Sequence, residues 1–139
     1  ALNKVEIHLA KWRTHLEKFE IKLAMEEAFS AGQTGNRYFD ESAPFTSRKT
    51  DMERCGVSIS VSLQILKMMC VMMAPITPFA MEKLWSWLGQ ESDLHNGSYI
   101  HATTPLPSGL ELGKQEILFP RIEDEQIEAE VERLKELQS

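Results

Sequence analysis

Cysteine is scarce in this sequence: Cys55 and Cys70 are the only two among 139 residues. Both fall in one apolar stretch, where they read as small buried hydrophobes rather than a disulfide or metal framework. Positive charge is also short. Fifteen Lys and Arg against 21 Asp and Glu leave a net charge of −6. That balance excludes a strongly cationic, indiscriminate nucleic-acid binder, but not a module that reads a few unpaired bases. There is no G-x-S-x-G turn, phosphate-binding loop, dinucleotide fingerprint or Cys/His cluster, so no catalytic, cofactor-binding or metal-ligating residue is assigned. No signal peptide, lipidation motif, internal repeat or low-complexity tract stands out. The first residue is Ala1, and the chain is read as an excised domain. Its length fits one domain whose core needs no disulfide.

What is present centres on residues 57–89. Between Gly56 and Glu82 the only charged residue is Lys67. Val57, Ile59, Val61 and Leu63 alternate with polar residues, as a half-buried strand would. The apolar run then continues through Met72 without a turn signal, too long for a strand and rich in helix formers. The reading is a helix over 51–74, opened by the capping-box pair Thr50 and Glu53. A membrane span is not expected, because its serines, Gln64 and Lys67 would need partners in lipid. A second helix spans 78–88, with Thr77 as acceptor for the first free N–H groups, Pro78 in the first turn and Gly89 as the stop. On it Trp85 reads as core, and Trp87 sits off the main stripe.

Before this hairpin, Leu2, Val5, Leu9, Trp12, Leu16 and Phe19 make one stripe on a helix over 3–18. His8 and His15 are read as surface residues. Ile21, Met25, Ala28, Gly32 and Phe39 define a helix over 20–41, thinned by Gly32 and Gly35 for close approach of another helix. Pro44 biases Ala43 away from helical angles, and Phe45 is expected to tuck under the turn. Residues 90–114 are rich in Gly, Pro and polar residues and read as an irregular excursion. A last helix, over 124–137, is capped by Asp124 and striped by Ile127, Val131, Leu134 and Leu137. The fold class is all-α. Residues 1–89 form a helical bundle, 90–116 an irregular loop and 117–139 a C-terminal segment and helix. Alone, these patterns reach only a mostly helical domain.

Four stretches carry more. They are Gly35–Phe45 (with Asn36-Arg37-Tyr38 and Ala43-Pro44-Phe45), Met73–Pro78, Lys83–Gly89, and Leu118-Phe119-Pro120-Arg121-Ile122-Glu123-Asp124-Glu125. In order and spacing they resemble the anticodon-binding region of methionyl-tRNA synthetase along essentially the whole chain. The resemblance implies a helical bundle that receives the anticodon loop of tRNA(Met) in the cytoplasm. A separate catalytic domain joins methionine to the tRNA. ATP, with zinc as a further option, belongs to that absent domain, whose two ATP-binding signatures are not in this chain.

Three departures from the family bear on the site. The family has Trp at the position of Phe45, read here as a packing difference. Its anticodon-reading Asn and Arg, four apart on one helix, lie upstream of the region matching Ala1. The resemblance puts its base-stacking Trp in the loop after Gly89, where this chain has no Trp and Tyr99 is the nearest aromatic. Unpaired bases are read by stacking on aromatic or guanidinium planes and by polar contacts to their edges. The tRNA-binding candidates are therefore Tyr99, Trp87, Arg37 and Asn36. Each has a structural alternative: Tyr99 as an anchor of the loop, Trp87 as packing, Arg37 as a solvated helix-end arginine, Asn36 as a backbone partner. Two other functions stay open: a helical interaction module docking through residues 124–137, and the equivalent domain of another class I synthetase.

Overall fold

A computed structural model describes residues 1–137. In chain order its helices are α1 (Leu2–Glu17), α2 (Ile21–Ser42), α3 (Pro44–Ser47), α4 (Met52–Met73), α5 (Pro78–Trp87), α6 (Ser98–His101) and α7 (Asp124–Leu137). No strand forms among the described residues. The alternation at Val57–Leu63 lies inside α4, which the apolar run beyond it carries through as one helix.

The core is α4 wrapped by its neighbours: α1, α2, α3 and α5 all pack on it. Met68, Cys70 and Met72 are fully buried, and burial pushes the Cys70 thiol up to about 12. By length and composition α4 passes for a membrane span, yet it buries Ser58, Gln64 and Lys67 within the bundle. The Ser58 hydroxyl is satisfied by the Arg54 carbonyl at 2.9 Å. The apolar composition is that of a core helix.

α1 buries Val5, Leu9 and Trp12 as its stripe requires. Phe19 leaves that stripe. It takes φ 59° in the α1–α2 turn and stands 88% exposed. On α2 the buried face is Ala24, Ala28 and Ala31, whereas Ile21 on the expected stripe is 48% exposed. Small residues win that face because the backbones come close. A Cβ on Gly35 would lie 2.9 Å from Ile65 Cγ2, and one on Gly32 3.0 Å from Met69 Cε. The histidines of α1 are tied rather than free: His8 Nδ1 meets Glu27 at 2.5 Å and His15 Nδ1 meets Glu20 at 2.7 Å.

The caps differ from expectation by one residue or one bond. Asp51, not Thr50, caps α4, its Oδ1 accepting from the Arg54 N–H at 2.9 Å. Thr77 holds the position before α5 but makes no side-chain cap; its hydroxyl donates back to the Met73 carbonyl at 3.3 Å. Gly89, at φ 63°, closes α5. Asp124 begins α7 rather than capping it, and the Gln126 side chain accepts from the Glu123 N–H at 3.0 Å instead. No described residue of α7 is buried, and Ile127, Val131 and Leu134 stay about half exposed.

Candidate nucleic-acid interface

Two connections leave the α4 hairpin, and both carry aromatic rings. The first is the turn from α2 through α3 to α4. Ala43 takes the left-handed conformation (φ 45°, ψ 57°) and ends α2, with its N–H on the Phe39 carbonyl. Pro44 opens α3 and is fully buried. The next residue points a different way round the helix. Phe45 is therefore 73% exposed and does not tuck under the turn. It is braced edge-to-face by Phe39, centroids 5.5 Å apart at 81°. Ser47 is buried beneath, its hydroxyl bonded to the Ala43 and Pro44 carbonyls. The turn is rigid, and the ring it carries is open to solvent.

Arg37 on α2, Arg48 and Lys49 after α3, and Arg54 on the first turn of α4 surround this ring in sequence, and all are exposed. None of the four makes an ion pair among the described residues, whereas Arg13 and Arg133 bond Glu17 and Glu130. Arg121, on the other connection, is likewise exposed and makes no ion pair among the described residues. Asn36 lines an apolar hollow of about 220 Å³ with Gly32, Phe39 and Leu66.

The second connection, residues 88–123, is far less loose than its composition suggests. Gln64 Nε2 donates to the Ala102 and Thr104 carbonyls at 3.0 and 3.2 Å, and its Oε1 accepts from the Leu106 N–H at 3.0 Å. Lys67 Nζ donates to the Thr104 carbonyl at 3.1 Å and lies 5.8 Å from the Trp85 ring. Burial alone lowers the Lys67 pKa. Trp85, in the core as expected, donates from Nε1 to the Ser92 carbonyl at 2.8 Å. The Gly113 N–H donates to the Trp87 carbonyl at 2.8 Å. Trp87 is half-buried where the chain crosses it.

Tyr99 is engaged as well. Its ring lies nearly parallel to Trp12, centroids 6.5 Å apart at 13°, and the Arg13 guanidinium sits 4.7 Å from its centroid. Glu17 and then the Tyr99 hydroxyl hold the Arg13 pKa above its usual value. Of the sequence candidates, Asn36 and Arg37 lie on α2, Tyr99 lies on the fastened strap, and Trp87 ends α5 where the strap crosses it. Phe45, expected to pack under the turn, is instead open to solvent directly after Ala43-Pro44, at the position where the resembling family carries Trp.

Comparison with known proteins agrees with this architecture. A family model described as the anticodon-binding domain of methionyl tRNA ligase matches residues 1–139. The methionine–tRNA ligase of Methanosarcina mazei is 35% identical over 124 residues, covering 89% of this chain and 17% of that protein. That of Parabacteroides distasonis is 37% identical over 119 residues, covering 86% and 17%. The chain thus spans about one sixth of the length of these relatives. Among solved structures, the free-state methionyl-tRNA synthetase of Mycobacterium tuberculosis superposes with a TM-score of 0.79 at 23% identity, over 88% of this chain and 25% of that one.

Proposed function

The chain belongs to the family of methionyl-tRNA ligase anticodon-binding domains, and on that premise we propose that it receives the anticodon loop of tRNA(Met). It does so as part of a cytoplasmic methionine–tRNA ligase. Methionine, ATP and any zinc are handled by a catalytic domain outside these residues. Residues 1–89 act as the rigid bundle, 90–116 as a strap across it and 117–139 as a tail ending in α7. The observation that carries the reading is the exposed Phe45 ring, braced by Phe39 on the turn between α2 and α4. An unpaired base stacks on that ring, and Arg37, Arg48 and Lys49 meet the phosphates on either side. Tyr99 anchors the strap on α1, as its contacts with Trp12 and Arg13 support.

The test is RNA binding by Phe45 variants. One base stacked on an aromatic contributes about 1–3 kcal/mol by alanine substitution. Phe45→Ala should therefore weaken binding of a CAU-loop RNA hairpin by about one to two orders of magnitude, at 1.4 kcal/mol per tenfold. Its folding stability should stay within about 0.5 kcal/mol of the parent, as for an exposed side chain. Phe45→Trp should retain or tighten binding. Unchanged affinity in Phe45→Ala would remove the ring from the interface. A second reading, a helical interaction module, has one observation in its favour, the unburied apolar stripe of α7.

A further inference from the structure

Phe39 and Phe45 are six residues apart, and on one continuous helix they would not meet. Six residues turn through about 600°, which leaves the two side chains about 120° apart around the axis. They touch because Ala43 interrupts the helix. Its left-handed backbone (φ 45°, ψ 57°) ends α2 and restarts the chain as α3, bringing the ring centroids to 5.5 Å. The end of α5 shows the alternative: Gly89 reaches φ 63° there with no Cβ to clash. Alanine makes the same excursion under strain, and such strain persists only where the surrounding structure fixes it. Two bonds to the Phe39 carbonyl do so here, from the Ala43 N–H at 3.1 Å and the Ser42 hydroxyl at 3.2 Å. Phe39 is half-buried and lines the apolar hollow between α2 and α4, whereas Phe45 stands mostly in solvent.

An exposed phenylalanine has three staggered χ1 wells open to it. Stacking a base uses one ring orientation, so apparent affinity falls by the fraction of time the ring spends there. The edge-to-face contact at 81° favours the well that keeps Phe45 on Phe39. We propose that Phe39 is a positioning residue for the RNA interface: with the strained turn at Ala43, it holds the Phe45 ring in the orientation on which a base stacks. A half-buried side chain that need touch no RNA thereby sets how tightly RNA is held. The inference rests on the function proposed above, since it requires a base on Phe45, but it can fail alone.

The experiment measures affinity for a CAU-loop RNA hairpin in a double-mutant cycle, with the χ1 population of residue 45 read from three-bond NMR couplings. Phe39→Leu keeps apolar bulk at the hollow but offers Phe45 no ring. It should average the Phe45 rotamers and lower affinity about threefold, the ratio of three wells to one. In a Phe45→Ala background the same change should leave affinity unaltered. A merely structural Phe39 would instead weaken both backgrounds alike and leave Phe45 in one rotamer, and that result would overturn the proposal. Ala43→Gly gives a second reading without touching the core, since Ala43 is exposed and glycine adopts the left-handed turn freely. It should fold as well as the parent, average the Phe45 rotamers and weaken RNA binding about threefold. Parent-like affinity in either variant would overturn the positioning role while leaving Phe45 in the interface. Parent-like affinity in Phe45→Ala itself would remove the interface, and this inference with it.

Discussion

Residues 43–51 join two helices of the bundle and residues 88–123 lead from it to α7, yet the shorter connection offers a ring to solvent and the longer is fastened down. Three bonds from Gln64, one from Lys67 and one from Trp85 reach the backbone of the longer segment. The shorter one reaches only its own flanks, through Ser47 and Asp51. Length therefore says little about freedom here. What decides it is whether a polar side chain inside the core has no other partner than the loop above it. Gln64 is 8% exposed, and its amide takes its hydrogen bonds from residues 102–106 because a buried amide must be paired.

Removing that amide is the strongest way to break the contrast. Gln64→Leu leaves the Ala102 carbonyl and the Leu106 N–H without their partner, and each orphaned buried group costs about 1–3 kcal/mol. The expected loss is about 2–5 kcal/mol in a urea melt, with fast amide exchange at Leu106. A variant that melts with the parent would mean that the strap is held by packing alone, and the two connections would differ only in composition.

The same contrast marks what could be read in advance. α1, α2, α4, α5 and α7 were legible within a few residues because their apolar spacing, Pro78 and Gly89 are local signals. Phe19 was not: the stripe ran through it, but a positive φ in the turn throws it outward. The buried face of α2 keeps Ala28 from the expected stripe but takes in Ala24 and Ala31 and leaves Ile21 out, because close helix approach at Gly32 and Gly35 favours small residues there. The clasp left half a signature, a glutamine and the only lysine of an apolar helix one turn apart. Its partners lie 37 to 42 residues further on, where no periodicity points. Phe45 is exposed where it was expected to tuck under the turn, and Tyr99 packs on α1, for a similar reason. Exposure of an aromatic depends on what crosses it, and Trp12 and Arg13 come to Tyr99 from the other end of the chain.

Tyr99→Ala sharpens the comparison at the ring itself. It forfeits the contact with Trp12 and the Arg13 guanidinium, together about 1–2 kcal/mol for a partly exposed pair. RNA-hairpin affinity should stay within about twofold of the parent, below the tenfold that 1.4 kcal/mol would give. The opposite pattern, intact stability with weakened binding, would return Tyr99 to the interface and make both connections RNA-facing.

The smallest expected effect concerns Lys67, and it asks which group of the clasp holds the strap. Lys67 is 3% exposed, and its ammonium meets a carbonyl and a ring face but no carboxylate. Burial of this kind costs more than one hydrogen bond returns. Lys67→Met keeps the length and apolar stem, and the Thr104 carbonyl still accepts from Gln64 at 3.2 Å. The variant should be more stable than the parent at neutral pH by about 1 kcal/mol. The sign of the pH dependence follows from the lowered pKa. In the folded state Lys67 loses its proton below the ordinary value of 10.5, so between the two pKa values the unfolded chain binds more protons. The parent's stability then rises with pH across that window, and the penalty is fully present below it. Urea melts of both proteins from neutral buffer up toward pH 10.5 should show the gap in favour of Lys67→Met narrowing as pH rises. A variant less stable than the parent at neutral pH, with faster exchange at Leu106, would mean that the ammonium and not the amide fastens the strap. Gln64 would then be its support.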